Sequence, residues 1–198
     1  MTCALALVLL LDASASITAP QWQTQIEAHA EAFEYPAIQS AIQSTGTVMV
    51  HVEAFADYPV NMIPWRTIKT RQDIMSFASE IRESKRPTSG GTNIDLAIRA
   101  GISALERQDC DRLVIDLVTD GEAVGITTQY ARDAAMEKGI TINGLGVGNE
   151  AAEWLRENAQ TPDGFTRQAD DWQDVSGALR AKMIKEIATG PLYLESAP

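Results

Sequence analysis

The sequence predicts an α/β domain: a doubly wound, mainly parallel, six-stranded sheet with helices on both faces, laid out in the Rossmann-like manner. Two observations carry that prediction. Apolar runs such as Cys3–Leu11, and Leu113–Val118 apart from Asp116, are continuous rather than alternating, which marks strands covered on both faces. Between such runs lie segments whose apolar residues recur every three or four positions, so strands and helices alternate along the chain. A length of 198 residues suits one domain, and a chain of that size buries roughly 70% of its unfolded surface around one core. The composition, 45% hydrophobic and 22% charged, excludes a disordered or fibrous chain. We expect one domain over residues 1–190, with residues 191–198 a loose tail.

The first strand covers about residues 4–12. Its apolar run could pass for the core of an export signal, yet no Lys or Arg precedes it and Asp12 with its serines follows directly. It is also far too short to span a bilayer. Thr18 and Pro20 are start signals for a helix to about Glu34, and Tyr35-Pro36 bends or restarts it before an end near Ser44. A second strand runs from Thr47 to Ala56. The third, near Val60 to Ile68, is an edge strand because Pro59 and Pro64 cannot donate to a ladder. Helices follow at about Arg71–Glu83 and Asn93–Glu106, joined by the loop Pro87–Thr92. The fourth strand is Leu113–Thr119, then a helix at about Thr127–Lys138, a fifth strand at Thr141–Val147 and a helix at Glu150–Asn158. A short strand at Phe165–Gln168 and a helix from about Trp172 to Ala188 complete the pattern.

Charge and cysteine content narrow the function classes. Sixteen basic residues stand against 27 acidic ones, a formal net charge of -11, which repels phosphate backbones and anionic lipid surfaces. Neither nucleic acid nor membrane insertion is expected. Two cysteines and two histidines without C-x-x-C spacing do not make a four-ligand zinc site, so any metal must be held by oxygen.

In a doubly wound sheet the ligand site lies at the carboxyl ends of the strands, where strand order reverses. Three oxygen-rich segments fall there: Asp12-Ala13-Ser14-Ala15-Ser16 after strand one, Ser89-Gly90-Gly91-Thr92-Asn93 at the start of a helix, and Thr119-Asp120-Gly121-Glu122 after strand four. Alternation lets Asp12, Ser14 and Ser16 turn their oxygens to one side while the small alanines allow a tight curve. Gly90, Gly91 and Gly121 permit close backbone approach. Two carboxylates and three hydroxyls suit a hard cation, Mg²⁺ or Mn²⁺, with Ca²⁺ a third candidate.

These residues resemble the metal-ion-dependent adhesion site (MIDAS) of the von Willebrand factor A (vWA) domain. A lone D-x-S-x-S is weak, since Ser and Asp are common helix caps; three segments at matching strand ends are specific. The resemblance covers nearly the whole chain. Gly139–Gly144 and the ending Ala169-Asp170-Asp171-Trp172 to Ile187 are similar to an uncharacterised, mostly exported bacterial branch. The resemblance implies Ser14 and Ser16 as direct ligands, Thr92 as a direct or water-bridged one, and Asp12 and Asp120 acting directly or through water. It also implies a non-enzymatic, monomeric protein-binding module whose metal captures a Glu or Asp of a partner protein. The acidic surface adds an expectation of basic partner residues around that carboxylate. A periplasmic or secreted location is expected, with the export signal upstream and the cytoplasm as the alternative.

Other readings stand beside this one. A metal-dependent hydrolase or phosphoryl-transfer enzyme using Asp12 or Asp120 is the alternative function, but no Ser-His pair, activated Cys or phosphate loop accompanies the carboxylates. Glu122 reads as an exposed turn acid. Trp22, Trp65, Trp154 and Trp172 read as packing residues, and His29 and His51 as structural. Asp57-Tyr58 and the run Arg82–Arg86 read as solvated loop and helix-end charges.

Two expectations concern pairing. Asp116 is the one ionisable residue inside the fourth strand and needs a partner when buried; counting from the strand ends places Asn143 beside it, so a pair with Asn143 or Thr141 is expected. Cys3 precedes Asp12, and Cys110 precedes Asp120, by nearly the same number of residues. If strands one and four are parallel neighbours, both thiols emerge together at the opposite edge, within reach of a disulfide.

Overall fold

A computed structural model describes residues 3–188 of the chain. The expected tail, residues 191–198, lies outside the described residues. Thirteen elements follow in order: β1 (Leu5–Asp12), α1 (Ala19–Glu34), α2 (Pro36–Thr45), β2 (Val48–Phe55), β3 (Pro59–Ile68), α3 (Arg71–Glu83), α4 (Ile94–Leu105), β4 (Leu113–Thr119), α5 (Gly125–Glu137), β5 (Ile140–Val147), α6 (Asn149–Asn158), β6 (Thr166–Ala169) and α7 (Val175–Ile187). The sheet order is β3-β2-β1-β4-β5-β6. Only the β2–β3 pair is antiparallel among the described strands, as a two-proline edge strand reached by a tight turn requires.

Alternation along β1 divides the core. Leu5, Leu7, Leu9 and Leu11 pack with residues of α1, α2, α3 and α7 on one face. Ala6, Val8 and Leu10 pack with α4, α5 and α6 on the other. Every residue of β1 is buried, which is why its run is apolar throughout and why it is a central strand rather than an export segment in this fold.

Local chemistry explains the helix ends. Thr18 caps α1 in a reciprocal box with Gln21, and Thr70 caps α3 in the same way with Asp73. Pro36 opens α2 at the bend after Tyr35. Two starts differ from expectation. α5 begins at Gly125, because the Val124 carbonyl already accepts from the Thr128 amide and from the Thr127 and Thr128 hydroxyls. α7 begins at Val175 rather than Trp172, because the Asp171 carboxylate takes the Gln173 amide at 2.7 Å and holds residues 171–174 in a turn.

Cys3 and Cys110 form a disulfide with Cα atoms 4.4 Å apart, at the amino-terminal edge where β1 and β4 are parallel neighbours. It ties residues separated by 107 positions, a closure worth about 4–5 kcal/mol in the chain-entropy description.

Asp116 opposes Asn143 in the β4–β5 register as counted, but its partner is different. Asn143 accepts instead from the Phe165 amide, while Asp116 Oδ1 meets Lys182 Nζ of α7 at 2.5 Å. The same ammonium lies 2.6 Å from Glu186 Oε1, one turn further along α7, and all three side chains are buried. An in-sheet amide cannot neutralise a carboxylate, whereas a helix packed across the face supplies a cation. Since one ammonium cannot neutralise two acids, Glu186 keeps its proton well above the ordinary range, through burial first and the Asp116 carboxylate second, with Lys182 opposing. His29 of α1 completes this buried group. Its Nδ1 donates to the Gln25 carbonyl at 2.7 Å, and burial lowers its pKa so that the ring is neutral.

The run Arg82–Arg86 is not a solvated charge run. Arg82 forks between Glu27 and Glu34 of α1, joining α3 to α1 beside the edge-to-face pair Phe33–Phe77.

Lys182→Met strands two buried acids and is expected to lower the unfolding free energy by about 3–5 kcal/mol, read from urea denaturation. Glu186 sets a pH trend of definite sign: its folded pKa is raised, so its contribution is complete below the ordinary carboxylate range and is lost as pH rises through the raised value. Glu186→Gln is expected to flatten that decline with rising pH; an unchanged pH slope would refute the protonated assignment.

Candidate functional site at the carboxyl edge of the sheet

The reversal in strand order falls between β1 and β4, and their carboxyl ends carry Asp12 and Asp120. Beyond Asp12 the chain turns at once: the Ala13 amide donates to the Phe55 carbonyl at 2.7 Å, the Ala15 amide to the Gly90 carbonyl at 2.7 Å, and the Ile17 amide back to the Ser14 carbonyl. Small residues at 13 and 15 permit these close backbone contacts, and the alternation turns the Ser14 and Ser16 hydroxyls toward one another.

Four of the five expected residues form one hydrogen-bonded chain. Asp12 Oδ1 accepts the Ser14 amide at 2.8 Å. Ser14 Oγ and Ser16 Oγ are 3.1 Å apart, and Ser16 Oγ donates to Asp120 Oδ1 at 2.9 Å. Thr92 arrives from the loop before α4; its Oγ1 lies 3.9 Å from the position a Gly121 side chain would occupy. Asp12 and Ser14 are buried, whereas Ser16 is exposed, so the site is a shallow depression open on the serine side. Glu122 stands exposed beside it, as a turn acid.

Four supporting residues were given no role by the sequence. Thr119 Oγ1 donates to Asp12 Oδ2 at 2.5 Å and accepts the Gly121 amide at 3.1 Å, joining the β1 and β4 ends through one hydroxyl. Gln25 of α1 donates to the Asp12 carbonyl. Arg86 donates to the Ala13, Ser14 and Ile17 carbonyls, so it clamps the serine loop rather than lying in solvent. Asp57, read as a loop charge, takes the Gly91 amide on Oδ1 at 2.7 Å, and its carbonyl accepts from the Asn93 side chain. Thr119 was the one carrying a signal, by its place directly before Asp120; the others act across long sequence gaps.

The donor set fits a hard divalent cation. Two carboxylates and the hydroxyls of Ser14 and Ser16 come together, and hydroxyls and amides, rather than Lys or Arg side chains, link the two acids. Burial raises the Asp12 pKa above its usual value, hydrogen bonds from Ser14 and Thr119 lower it, and Asp120 raises it slightly. Among the described residues no three His, Cys, Asp or Glu side chains gather as a ligand set. Both histidines are buried elsewhere, His29 beneath α7 and His51 in β2.

The sheet order and the helices on both faces give the fold of a vWA-like domain. The chain belongs to the family described as "Protein of unknown function (DUF1194)", whose model matches residues 2–191. No curated protein matches it. Among solved structures it is similar to proximal thread matrix protein 1 from the mussel byssus, in a form titled as having a zinc-occupied MIDAS motif, with a TM-score of 0.69, 18% identity, and 94% of this chain and 46% of that one covered. A von Willebrand factor type A protein from Catenulispora acidiphila gives a TM-score of 0.71 at 15% identity, covering 94% and 43%. The vWF domain of the type V pili tip protein Mfa5 from Porphyromonas gingivalis gives 0.68 at 11% identity, covering 97% and 99%. The chain thus spans under half of the mussel and Catenulispora chains and nearly all of the Mfa5 domain.

Gly90 tests the loop geometry. Its φ is +144°, and a Cβ there would fall 2.1 Å from Asp57 Oδ2. Gly90→Ala is expected to cost about 1–3 kcal/mol and to speed amide exchange at Ala15 and Gly91 in NMR. Adding Asp57→Ala should recover the steric share but not the strain; full recovery would show that backbone conformation is unimportant at this position.

Proposed function

We propose that this domain is a divalent-metal-dependent protein-binding module of the adhesion type. The observation that carries the reading is the continuous network Asp12–Ser14–Ser16–Asp120, with Thr92 near Gly121, at the reversal point of the sheet. Ser14, Ser16 and Thr92 would hold the metal through hydroxyl oxygens, with Asp12 and Asp120 acting directly or through water. Mg²⁺ or Mn²⁺ fits these hard oxygens, and Ca²⁺ is a further candidate. A cation held largely by neutral oxygens supplies Lewis acidity for one more anionic ligand, a Glu or Asp carboxylate of a partner protein.

This chain's own residues prepare the site. Arg86, Gln25 and Thr119 fix the serine loop and Asp12, so little ordering is left for the moment of binding. Around the depression the surface is mixed. Glu122 and Asp57 contribute negative charge, while Tyr58, Val124 and Ile126 are 72%, 64% and 54% exposed. A partner is therefore expected to present its carboxylate among both basic and apolar side chains. An envelope or extracellular position is part of the proposal, supported by the disulfide and by the pilus and byssus proteins among the structural neighbours.

Calorimetric titration with Mg²⁺, Mn²⁺ and Ca²⁺ tests the metal. Wild type should bind at least one of them, Ser14→Ala with Asp120→Ala should not, and Thr119→Val should bind about 10–100-fold more weakly. Equal affinity in wild type and the double variant would remove the site. Capture of partners from the native source with and without EDTA then tests the module, and chelator-independent capture would contradict the metal-centred mode.

A further inference from the structure

We propose that the cleft between the β2–β3 edge and α4 is a second binding site, one that takes a neutral polyhydroxylated ring such as a pyranose unit of a saccharide. It lies on the α4 face and shares no lining residue with the proposed metal site. The cleft has a volume of about 380 Å³ and is lined by His51, Glu53, Asn61, Trp65, Ala104 and Arg107, among others. That size falls within the range of small-molecule sites.

The composition of β2 makes the cleft anomalous as mere packing. Opposite the apolar side chains Val48, Val50, Val52 and Ala54, this face of β2 carries His51 and Glu53, only 4% and 8% exposed. His51 Nε2 and Glu53 Oε1 are 2.9 Å apart. The remaining atoms of the pair, His51 Nδ1 and Glu53 Oε2, are shielded from water and have no hydrogen-bond partner. Leaving such groups unpaired is unfavourable, and no other part of the fold uses them.

The register of β3 shows why the face is uncovered. Val50 and Val52 oppose Arg66 and Ile63, and Val52 and Glu53 oppose Ile63 and Asn61, so β3 carries an extra residue at each of two successive steps. Bulges bend the strand that bears them. Here they fall opposite His51 and Glu53 and include Pro64, which donates nothing to the ladder.

The chemistry of the lining selects the ligand. The unpaired Glu53 Oε2 is an acceptor whichever proton His51 carries, so the ligand must donate to it. The terminal torsion of a glutamate is soft, which lets Oε2 turn to meet it. Arg107 and Asn61 are donors, so the ligand must also accept. Hydroxyl groups do both. Glu53 and Arg107 offset one another in charge, favouring a neutral molecule over a cation or an anion. Trp65, stacked on His51 with ring centroids 5.2 Å apart, and Ala104 supply an apolar wall for the C–H face of a sugar ring.

The test is NMR titration of the ¹⁵N-labelled full chain with the methyl glycosides of glucose, galactose, mannose and N-acetylglucosamine, up to about 50 mM to cover millimolar affinity, with and without EDTA. At least one glycoside should shift the Trp65 indole N–H and the His51 and Glu53 amides saturably, unchanged by EDTA. Binding should be about tenfold weaker in the isosteric Glu53→Gln and also weakened in the surface variant Arg107→Ala, a tenfold change corresponding to about 1.4 kcal/mol. Absence of saturable shifts at these residues with every glycoside would overturn the proposal, as would unaltered binding in both variants. Shifts abolished by EDTA would assign the sugar to the metal site instead. Equal shifts from tetramethylammonium would assign the cleft to cations.

Discussion

The parallel pairing of β1 with β4 is the constraint on which the rest of the molecule depends. Because β1 also pairs with β2, sheet order reverses at this junction, and the loops leaving β1 and β4 diverge to opposite faces. The depression left between them receives Asp12 and Asp120 together. The same register places Cys3 beside Cys110 at the far edge. One alignment, Leu11 opposite Val118, therefore governs both the functional edge and the covalent tie. A slip of one residue would send Asp12 to the wrong face and part the two thiols.

Rigidity at the functional edge is obtained with neutral hydrogen bonds rather than ion pairs. Thr119 and the Ser14 amide hold the Asp12 carboxylate, and Arg86 spends its guanidinium on backbone carbonyls of the serine loop instead of on the acids. This division has a physical reason: a cation salt-bridged to Asp12 or Asp120 would compete with any metal held there, whereas a cation bound to carbonyls shapes the loop without neutralising the site. The strong charge pairing is placed elsewhere, in Lys182–Asp116–Glu186 beneath α7 and in Arg82–Glu27–Glu34 between α3 and α1. These join helices to the core and to each other while leaving the carboxyl edge free.

Polar burial distinguishes the two faces of the sheet. On the α7 face the buried acids have a cation, and specificity of helix docking is the natural consequence. On the α4 face the His51–Glu53 pair leaves a polar atom on each residue unpaired beside an open cleft. Similar residue types thus read differently according to whether a neighbouring helix closes over them. α7 closes over Asp116, and the bulged β3 edge fails to close over Glu53.

The sequence by itself determined the strand and helix order, the edge position of β3, the central position of β1, the Asp116–Asn143 register and the meeting of the Asp12-to-Ser16 segment with Asp120. All of these follow from periodicity, proline chemistry and counting along parallel strands, which are local or nearly local rules. What only the tertiary structure decided are contacts made across faces: Lys182 as the counter-ion of Asp116, Arg86 and Asp57 as supports of the site, and the open cleft at His51 and Glu53. Their partners lie 66, 72, 34 and, across the bulged edge, about ten residues away, a distance in sequence that no local pattern encodes. An arginine in a charged run looks the same whether it faces water or a carbonyl, because what it meets is set by how α3 and its following loop pack against α1, and that is settled only when the whole sheet has formed.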